Sequence, residues 1–419
     1  MDAAVDLRPP AYDGNAIATA LTSWFSRQHA TTSTSFAFEK TLPSERDRNY
    51  LLKRILQHQE AQSQSCVEKQ DRVVLKVSNR GDEWRLLRAQ TEAMLFCMKR
   101  GCPTQRLVTF ETEGDVEDQK PEDFFLSLNS KQQACAEDAG LDSDLKFDQH
   151  LNHDSTSRLY ARLLVFEEGE VLGGIEDDVK KKCNPDIWHS AGKSVGIVSK
   201  TLREFYEEKK MRPLQEVEDS VSIYSRFWET LNSDFEWNLT TLESTLPKYL
   251  PHVEKEGGRL ALVKRLFEDH LGEFGTSNKE DRPPGTNLNA RTLVHNDPND
   301  NNLVLKPGGT RTNQVIVLDF GDLAVSYPFA DAAIGAAYAP SPACADAFID
   351  GWVEEVKSEG GQDDIHKDII HHFAQMRMVT SVCMSSFQAK QHPEDAYLQC
   401  SADGMWQSLG WTKINREDV

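Results

Sequence analysis

Val294-His295-Asn296-Asp297-Pro298-Asn299-Asp300-Asn301-Asn302 is followed, after a Gly-rich turn, by Val315-Ile316-Val317-Leu318-Asp319-Phe320-Gly321-Asp322. The two stretches set an acid, an amide and a second acid at the ends of short apolar runs. That is an arrangement with which a kinase activates a hydroxyl and holds Mg²⁺ over a nucleotide's phosphates, and the expectation is the same chemistry here. Asp297 is expected at the end of a strand, orienting a substrate hydroxyl and accepting its proton. Asn302 offers a neutral oxygen to Mg²⁺, and Asp319, closing the run 315–318, offers it a carboxylate. His295 braces the loop. An Asx-rich surface turn would use the same residue types. A calcium loop counted from Asp297 would need Gly sixth and Glu twelfth, where the chain has Asn302 and Gly308.

Working outward, the run Val73-Val74-Leu75-Lys76-Val77 reads as a buried strand carrying one lysine. A helix is expected from about 82 to 99, stopped by Gly101-Cys102-Pro103. Strand, lysine, helix is the order of a kinase nucleotide-binding lobe, in which Lys76 pairs with phosphate and a helix carboxylate, Glu92 before Glu83, steers it. Before it come an opening helix over 15–31, a strand over 34–38, a turn over 42–47 and a strand over 49–52. Ser44, Asp47 and Asn49 fill the place of the loop that covers the nucleotide. Leu163-Leu164-Val165-Phe166 reads as a strand leading into a hinge at Phe166, Glu167 and Glu168, where contacts select the nucleotide base. Residues 187–270 have helical patterning broken at Pro213 and Pro247, and residues after 330 are again mostly helical.

These strings resemble the hydroxylysine kinase branch of the aminoglycoside phosphotransferase and choline kinase-like superfamily. The resemblance is carried by Leu42-Pro43-Ser44-Glu45-Arg46-Asp47-Arg48-Asn49-Tyr50, Val74-Leu75-Lys76-Val77-Ser78-Asn79 and Gln90-Thr91-Glu92-Ala93-Met94. His295-x-Asp297-x-Asn299-Asp300-x-Asn302, Asp319-Phe320-Gly321-Asp322 and C-terminal strings such as Met376-Arg377-Met378 agree with it. It runs in order from about residue 35 to 410. The chain departs from the pattern in insertions at about 54–72 and 112–157, and at Asn296, where Gly is usual.

The resemblance implies an α+β, two-lobed protein-kinase-like fold. A small β-rich lobe over 1–166 would bind nucleotide, and a larger, mainly helical lobe over 167–419 would carry the catalytic and substrate-binding loops. It implies 5-hydroxylysine as acceptor and GTP as donor, with ATP the other candidate, and Mg²⁺ as cofactor. Homoserine, choline, ethanolamine or an aminoglycoside would use the same machinery. A pseudokinase binding module is opposed by the joint presence of Lys76, Asp297, Asn302 and Asp319. Asp322 and Asp300, carboxylates beyond those the chemistry needs, are the candidates to hold a substrate ammonium.

Composition agrees. With 67 acidic and 47 basic residues the chain carries a formal charge of -20, which argues against nucleic acid or an anionic membrane as partner and suits a small cation. No apolar run approaches the roughly 20 residues of a membrane span, and the N-terminus has no apolar signal core. Eight scattered cysteines without C-x-x-C suit free thiols, and the expectation is a cytoplasmic protein. The insertion at 112–157 is acidic and expected to be exposed. Gly192-Lys193-Ser194 mimics the end of a Walker A loop, but the required first Gly falls at Ile187. Asn238-Leu239-Thr240 mimics a glycosylation acceptor. His371-His372 lack further residues at metal-ligand spacing.

Overall fold

The computed structural model describes residues 12–28, 33–42, 47–59, 66–78, 83–109, 120–129, 146–148, 159–175, 179–211, 227–253, 258–275, 288–308, 315–357, 366–391, 393, 405–406 and 408–409. The chain divides into two compact units, one of 1–99 with 105–167 and one of 100–104 with 168–419. Residues 100–104 belong to the second unit because the Val317 N–H donates to the Pro103 carbonyl at 2.8 Å and Thr104 bridges to Val317. The α+β class expected from the sequence holds: the first unit is β-rich and the second mainly helical.

The first unit is built on one antiparallel sheet. Its strands are β1 (Ser33–Leu42), β2 (Arg48–Gln59), β3 (Cys66–Val77), β4 (Leu107–Val108), β5 (Leu126–Asn129), β6 (Lys146–Asp148) and β7 (Leu159–Val165). The order is β1-β2-β3-β7-β5-β6, with β4 also pairing β7. Period-2 alternation sends successive residues to opposite faces. Val73, Leu75 and Val77 of β3 and Leu159, Ala161 and Leu163 of β7 join the core made with Ile17, Leu21, Trp24 and Phe25 of helix α1 (Gly14–Gln28). The alternate residues face helix α2 (Trp84–Lys99), whose Trp84 and Leu87 pack on Tyr160 and Phe125. On that face the buried Arg162 donates to Thr91 Oγ1 and Gln90 Oε1, both at 3.2 Å, and lies over the Phe125 ring. A buried guanidinium needs such partners, which gives Gln90 and Thr91 their place in the helix.

The insertions contribute to the sheet, and the expectation that 112–157 is exposed is corrected in part. The segment at 54–72 lengthens an existing hairpin, since β2 and β3 pair continuously from Arg48↔Val77 to Gln59↔Cys66. Its polar composition concealed the strands because period-2 reading depends on an apolar face. The segment at 112–157 also supplies core: Phe124, Phe125, Leu126 and Leu128 are buried, and β5 pairs β7 from Leu126↔Ala161 to Leu128↔Leu159.

The described helices of the second unit include three groups. The first is α3 (Val179–Lys182) and α4 (Pro185–Met211). The second is α5 (Leu242–Tyr249) and α6 (Arg259–Phe274). The third is α7 (Ala330–Ala337), α8 (Pro342–Val356) and α9 (Lys367–Gln391). Pro247 lies inside α5 without ending it; the helix tightens to a 3-10 turn at Leu250–His252 instead. The Walker A mimic is helical. A Cβ on Gly192 would fall 2.0 Å from the Phe348 carbonyl oxygen, so glycine there lets α4 and α8 meet backbone to backbone. Lys193 pairs with Glu354 and Glu355 at 3.2 Å. Asn238 is buried, donating to the Asn232 and Val325 carbonyls and accepting from Ser326 at 2.6 Å, so it serves packing. Cys97, Cys102, Cys183, Cys344 and Cys383 are free thiols, and no described helix is long and apolar enough to cross a membrane.

His270 of α6 and His372 of α9 stack, with Nδ1 and Nε2 2.9 Å apart. Burial pushes His270 down to about 4 and His372 to about 3, the latter also through His270. Above the ordinary histidine value of 6.5 both folded and unfolded forms are neutral. As pH falls below it, the unfolded chain binds protons that the folded pair refuses. Stability should therefore drop by about 1.4 kcal/mol per pH unit per histidine until the folded values are reached. His372→Phe should lessen this loss. Melting temperatures of the two proteins across this range check it, and an unchanged pH slope in the variant would count against it.

Candidate active site

The pairing of four short strands in the second unit determines the site. β9 (Thr292–Val294) pairs β12 (Ala324–Ser326), with Val294 opposite Ala324. β10 (Leu303–Leu305) pairs β11 (Val315–Val317), with Leu303 opposite Val317, and also pairs β8 (Glu170–Val171). The segment 295–302 therefore runs from β9 to β10 beside the segment 318–323, which runs from β11 to β12. The Leu318 N–H donates to the Asn302 carbonyl at 2.8 Å, closing the two loops together. Asp297, Asn302, Asp319 and Asp322 are thus gathered by strand register.

Within the first loop, hydrogen bonds hold the carboxylate of Asp297. Asn299 Nδ2 donates to its Oδ1 at 2.9 Å and Asn302 Nδ2 to its Oδ2 at 2.8 Å. Asn299 Oδ1 also accepts from the Asn301 and Asn302 N–H groups at 2.8 and 3.2 Å, capping the 3-10 turn Asp300–Asn302. Arg377 of α9 supplies a third donor, Nη2 to Asp297 Oδ1 at 3.2 Å. Burial pushes the Asp297 carboxyl well above the ordinary aspartate range, helped by Asp322 and opposed by Arg377.

His295 is fully buried, and burial lowers its value and keeps it neutral. Its Nε2 lies 2.8 Å from the Leu318 carbonyl, which fixes the proton there, and Nδ1 accepts the Asp297 N–H at 3.4 Å. This is the bracing expected of it. Asp331 of α7, a residue the sequence did not single out, anchors the same turn. Its carboxylate, buried completely, accepts from the His295 N–H at 3.2 Å, the Asn296 N–H at 2.8 Å and Ser199 Oγ at 2.8 Å. Trp352 Nε1 donates in turn to Ser199 Oγ at 3.1 Å. Asp331→Ala would leave the buried His295 and Asn296 N–H groups without this acceptor, each costing about 1–3 kcal/mol, while Ser199 Oγ can donate to the Val195 carbonyl at 2.9 Å instead. We expect a total loss of about 2 kcal/mol or more, with reduced turnover; denaturant midpoints and kcat measure it, and wild-type values in both would refute the anchor.

Asn296 occupies the position where glycine is usual. Its φ is 67°, in the left-handed region that Asn tolerates better than most residues. The side chain is fully buried, and its Nδ2 and Oδ1 have no hydrogen-bond partner among the described residues.

Asp319 also has a left-handed backbone, with φ 54°, and its Oδ1 accepts the Gly321 N–H at 2.9 Å. Asn302 commits Nδ2 to the backbone and side-chain oxygens of Asp297, leaving Oδ1 as the group the amide can offer to a ligand. One carboxylate and one amide oxygen suit a hard cation that takes few protein oxygens and completes its shell with water and phosphate. Among the described residues no three His, Cys, Asp or Glu cluster as a metal site. Asp300 is placed differently from Asp322. Its Oδ2 lies 3.0 Å from where a Cβ on Gly173 would sit, and burial, opposed by Lys182, pushes its carboxyl up to about 6.

In the first unit, Lys76 is 6% exposed and its Nζ lies 2.9 Å from Asp47 Oδ2. Asp47 sits in the β1–β2 turn, a partner that the strand–lysine–helix order does not indicate. Asn49 is opposite Lys76 on β2 and Arg162 is opposite it on β7. Lys76 and Arg162 are thus buried cations on neighbouring strands, the first offset by the Asp47 carboxylate. Glu92 is half-buried on α2. Ser44 lies outside the described residues. After β7, the Phe166 N–H donates to the Arg72 carbonyl at 3.1 Å, with the Arg72 guanidinium 5.9 Å from the Phe166 ring. Glu167 pairs with Arg106 at 3.6 Å, and its side chain is 8% exposed.

Solved structures similar to this chain include the GDP complex of wild-type aminoglycoside 2'-phosphotransferase-IIIa, at 12% identity and a TM-score of 0.49, covering 95% of this chain and 99% of that one. A microcompartment-associated aminopropanol kinase has 11% identity and a TM-score of 0.48, covering 96% and 98%. An ethanolamine kinase of Plasmodium vivax has 10% identity and a TM-score of 0.44, covering 92% and 83%. No curated protein matches. Residues 238–360, which include both loops and Asp331, match the phosphotransferase enzyme family APH.

Proposed function

We propose that the protein is a small-molecule kinase that transfers the terminal phosphate of a Mg²⁺-bound nucleoside triphosphate to the hydroxyl of 5-hydroxylysine. The observation that carries phosphoryl transfer is the Asp297 carboxylate, fixed by Asn299, Asn302 and Arg377 beside Asp319. Asp297 orients the acceptor hydroxyl and takes its proton as the O–P bond forms. A carboxylate raised above the ordinary range is a better proton acceptor than an unperturbed one. Asn302 and Asp319 would hold Mg²⁺, which when bound supplies positive charge to the phosphate oxygens. Lys76 would pair with phosphate, with Asn49, Glu92, Phe166, Glu167 and Ser44 completing the nucleotide side. Hydroxylysine as acceptor and GTP as donor follow from the resemblance of the motif strings. A nucleotide-consumption screen of hydroxylated amines and amino acids, run with ATP and with GTP, tests the reading. Turnover confined to other acceptors would reassign the substrate, and none with any acceptor would overturn the kinase.

The acidic group beside Asp297 supports an amine-bearing acceptor, because Asp322 is close enough to raise the Asp297 carboxyl. Asp322→Asn should raise KM for hydroxylysine about 10-fold or more, the worth of a charged hydrogen bond, and leave nucleotide KM unchanged. A deaminated analogue should be a poor substrate of the wild type and indifferent to the substitution. If the wild type accepts that analogue as well as hydroxylysine, the cationic acceptor is wrong though the kinase stands.

A further inference from the structure

We propose that Arg377 is a positioning residue for phosphoryl transfer, acting on the acceptor hydroxyl through Asp297. The proposal rests on the reading of Asp297 as the group that receives the hydroxyl proton. A carboxylate has about four acceptor positions. At Asp297 three are filled, by Asn299 and Arg377 on Oδ1 and by Asn302 on Oδ2. The remaining position, on Oδ2, is the one available to a hydroxyl. Asn299 and Asn302 belong to the same loop as Asp297 and move with it. Arg377 comes from α9, 80 residues along the chain, and fixes the carboxylate against the body of the unit.

The guanidinium is itself immobilised. Arg377 is 3% exposed, and Nη1 donates to the Trp237 carbonyl at 2.8 Å. Its Cζ stands 4.6 Å from the Trp237 ring and 5.9 Å from the Tyr338 ring. A cation removed from water is tolerated only with such compensation. A planar fork held at one nitrogen, with its Cζ over an indole, gives its other nitrogen a defined direction. Arg377 therefore selects which oxygen of Asp297 is occupied and which is left to the acceptor, a role a lysine ammonium cannot reproduce because it has no second fixed donor.

The test is a double-mutant cycle on kcat, using an acceptor found by the screen. Arg377→Gln should lower kcat about 10-fold to 100-fold, as a misdirected reacting group does, with nucleotide KM unchanged. In an Asp297→Asn background the same change should cost no more than about 3-fold, because the residue through which it acts is already gone. Equal losses in both backgrounds would show a packing role only and overturn the proposal, as would wild-type kcat for Arg377→Gln. If Asp297→Asn alone leaves kcat intact, the reading of Asp297 falls and Arg377 with it. Should Arg377→Gln lose its cooperative thermal transition, Arg377→Lys takes its place in the cycle with the same two outcomes.

Discussion

Asp297→Asn is expected to turn over at least ~10²-fold more slowly than the wild type, the usual contribution of a positioned general base, while still binding Mg²⁺-nucleotide. The carboxylate of Asp297 accepts hydrogen bonds on both oxygens. An amide accepts on one and would present its NH₂ to a donor at the other. One of Asn299, Asn302 or Arg377 must then lose its partner, costing about 1–3 kcal/mol. The fold should survive, because the turn is held separately through the backbone of His295 and Asn296 on Asp331. Binding should persist because Asp319 is untouched. The measurements are kcat with the intended acceptor, calorimetry with Mg²⁺-nucleotide, and a melting curve. Near-wild-type kcat would remove Asp297 from the chemistry, whereas lost binding would mean that the substitution had disturbed the metal side as well.

The pairing of the two loops was legible because their signal is local: Asx and Pro residues between two apolar runs, at a spacing that strand register then converts into proximity. Lys76 was legible for the same reason, as one cation inside a buried strand. What the sequence hid is what depends on distant pairing. Asp331 sits in Ala330–Ala337, where one acid among alanines reads as an ordinary helix residue until the turn that uses it is placed beside it. Arg377 reads as a polar position of α9, and nothing local reveals that its partners are Asp297 and the Trp237 carbonyl. Asp47 as partner of Lys76 required the hairpin register of β2 and β3. The β-structure of the insertions was concealed by composition, since polar residues in a long hairpin and a short buried strand within an acidic segment both lack the alternation that marks a half-buried strand.

Asp319→Ala should weaken Mg²⁺-dependent nucleotide binding by about 10²-fold or more, since even groups outside a metal's ligand shell contribute 10- to 100-fold, and should do so more severely than Asn302→Ala. The carboxylate brings charge to the cation and the amide does not. Alanine at 319 has a second effect: the residue sits at φ 54° and its Oδ1 caps the Gly321 N–H, so the substitution also strains the turn. Asp319→Asn separates the two, because asparagine tolerates that backbone and can still cap, while losing the charge. The metal reading therefore requires Asp319→Asn to lose most of the Mg²⁺-dependent affinity that Asp319→Ala loses, with little change in melting temperature. Asn302→Ala should show the opposite balance, because Asn302 Nδ2 holds both the backbone and the side chain of Asp297: a modest loss in binding and a larger one in kcat. Calorimetry with and without Mg²⁺, beside turnover, distinguishes these patterns. Small, equal effects of all three substitutions on binding would mean that the paired loops do not form the metal site.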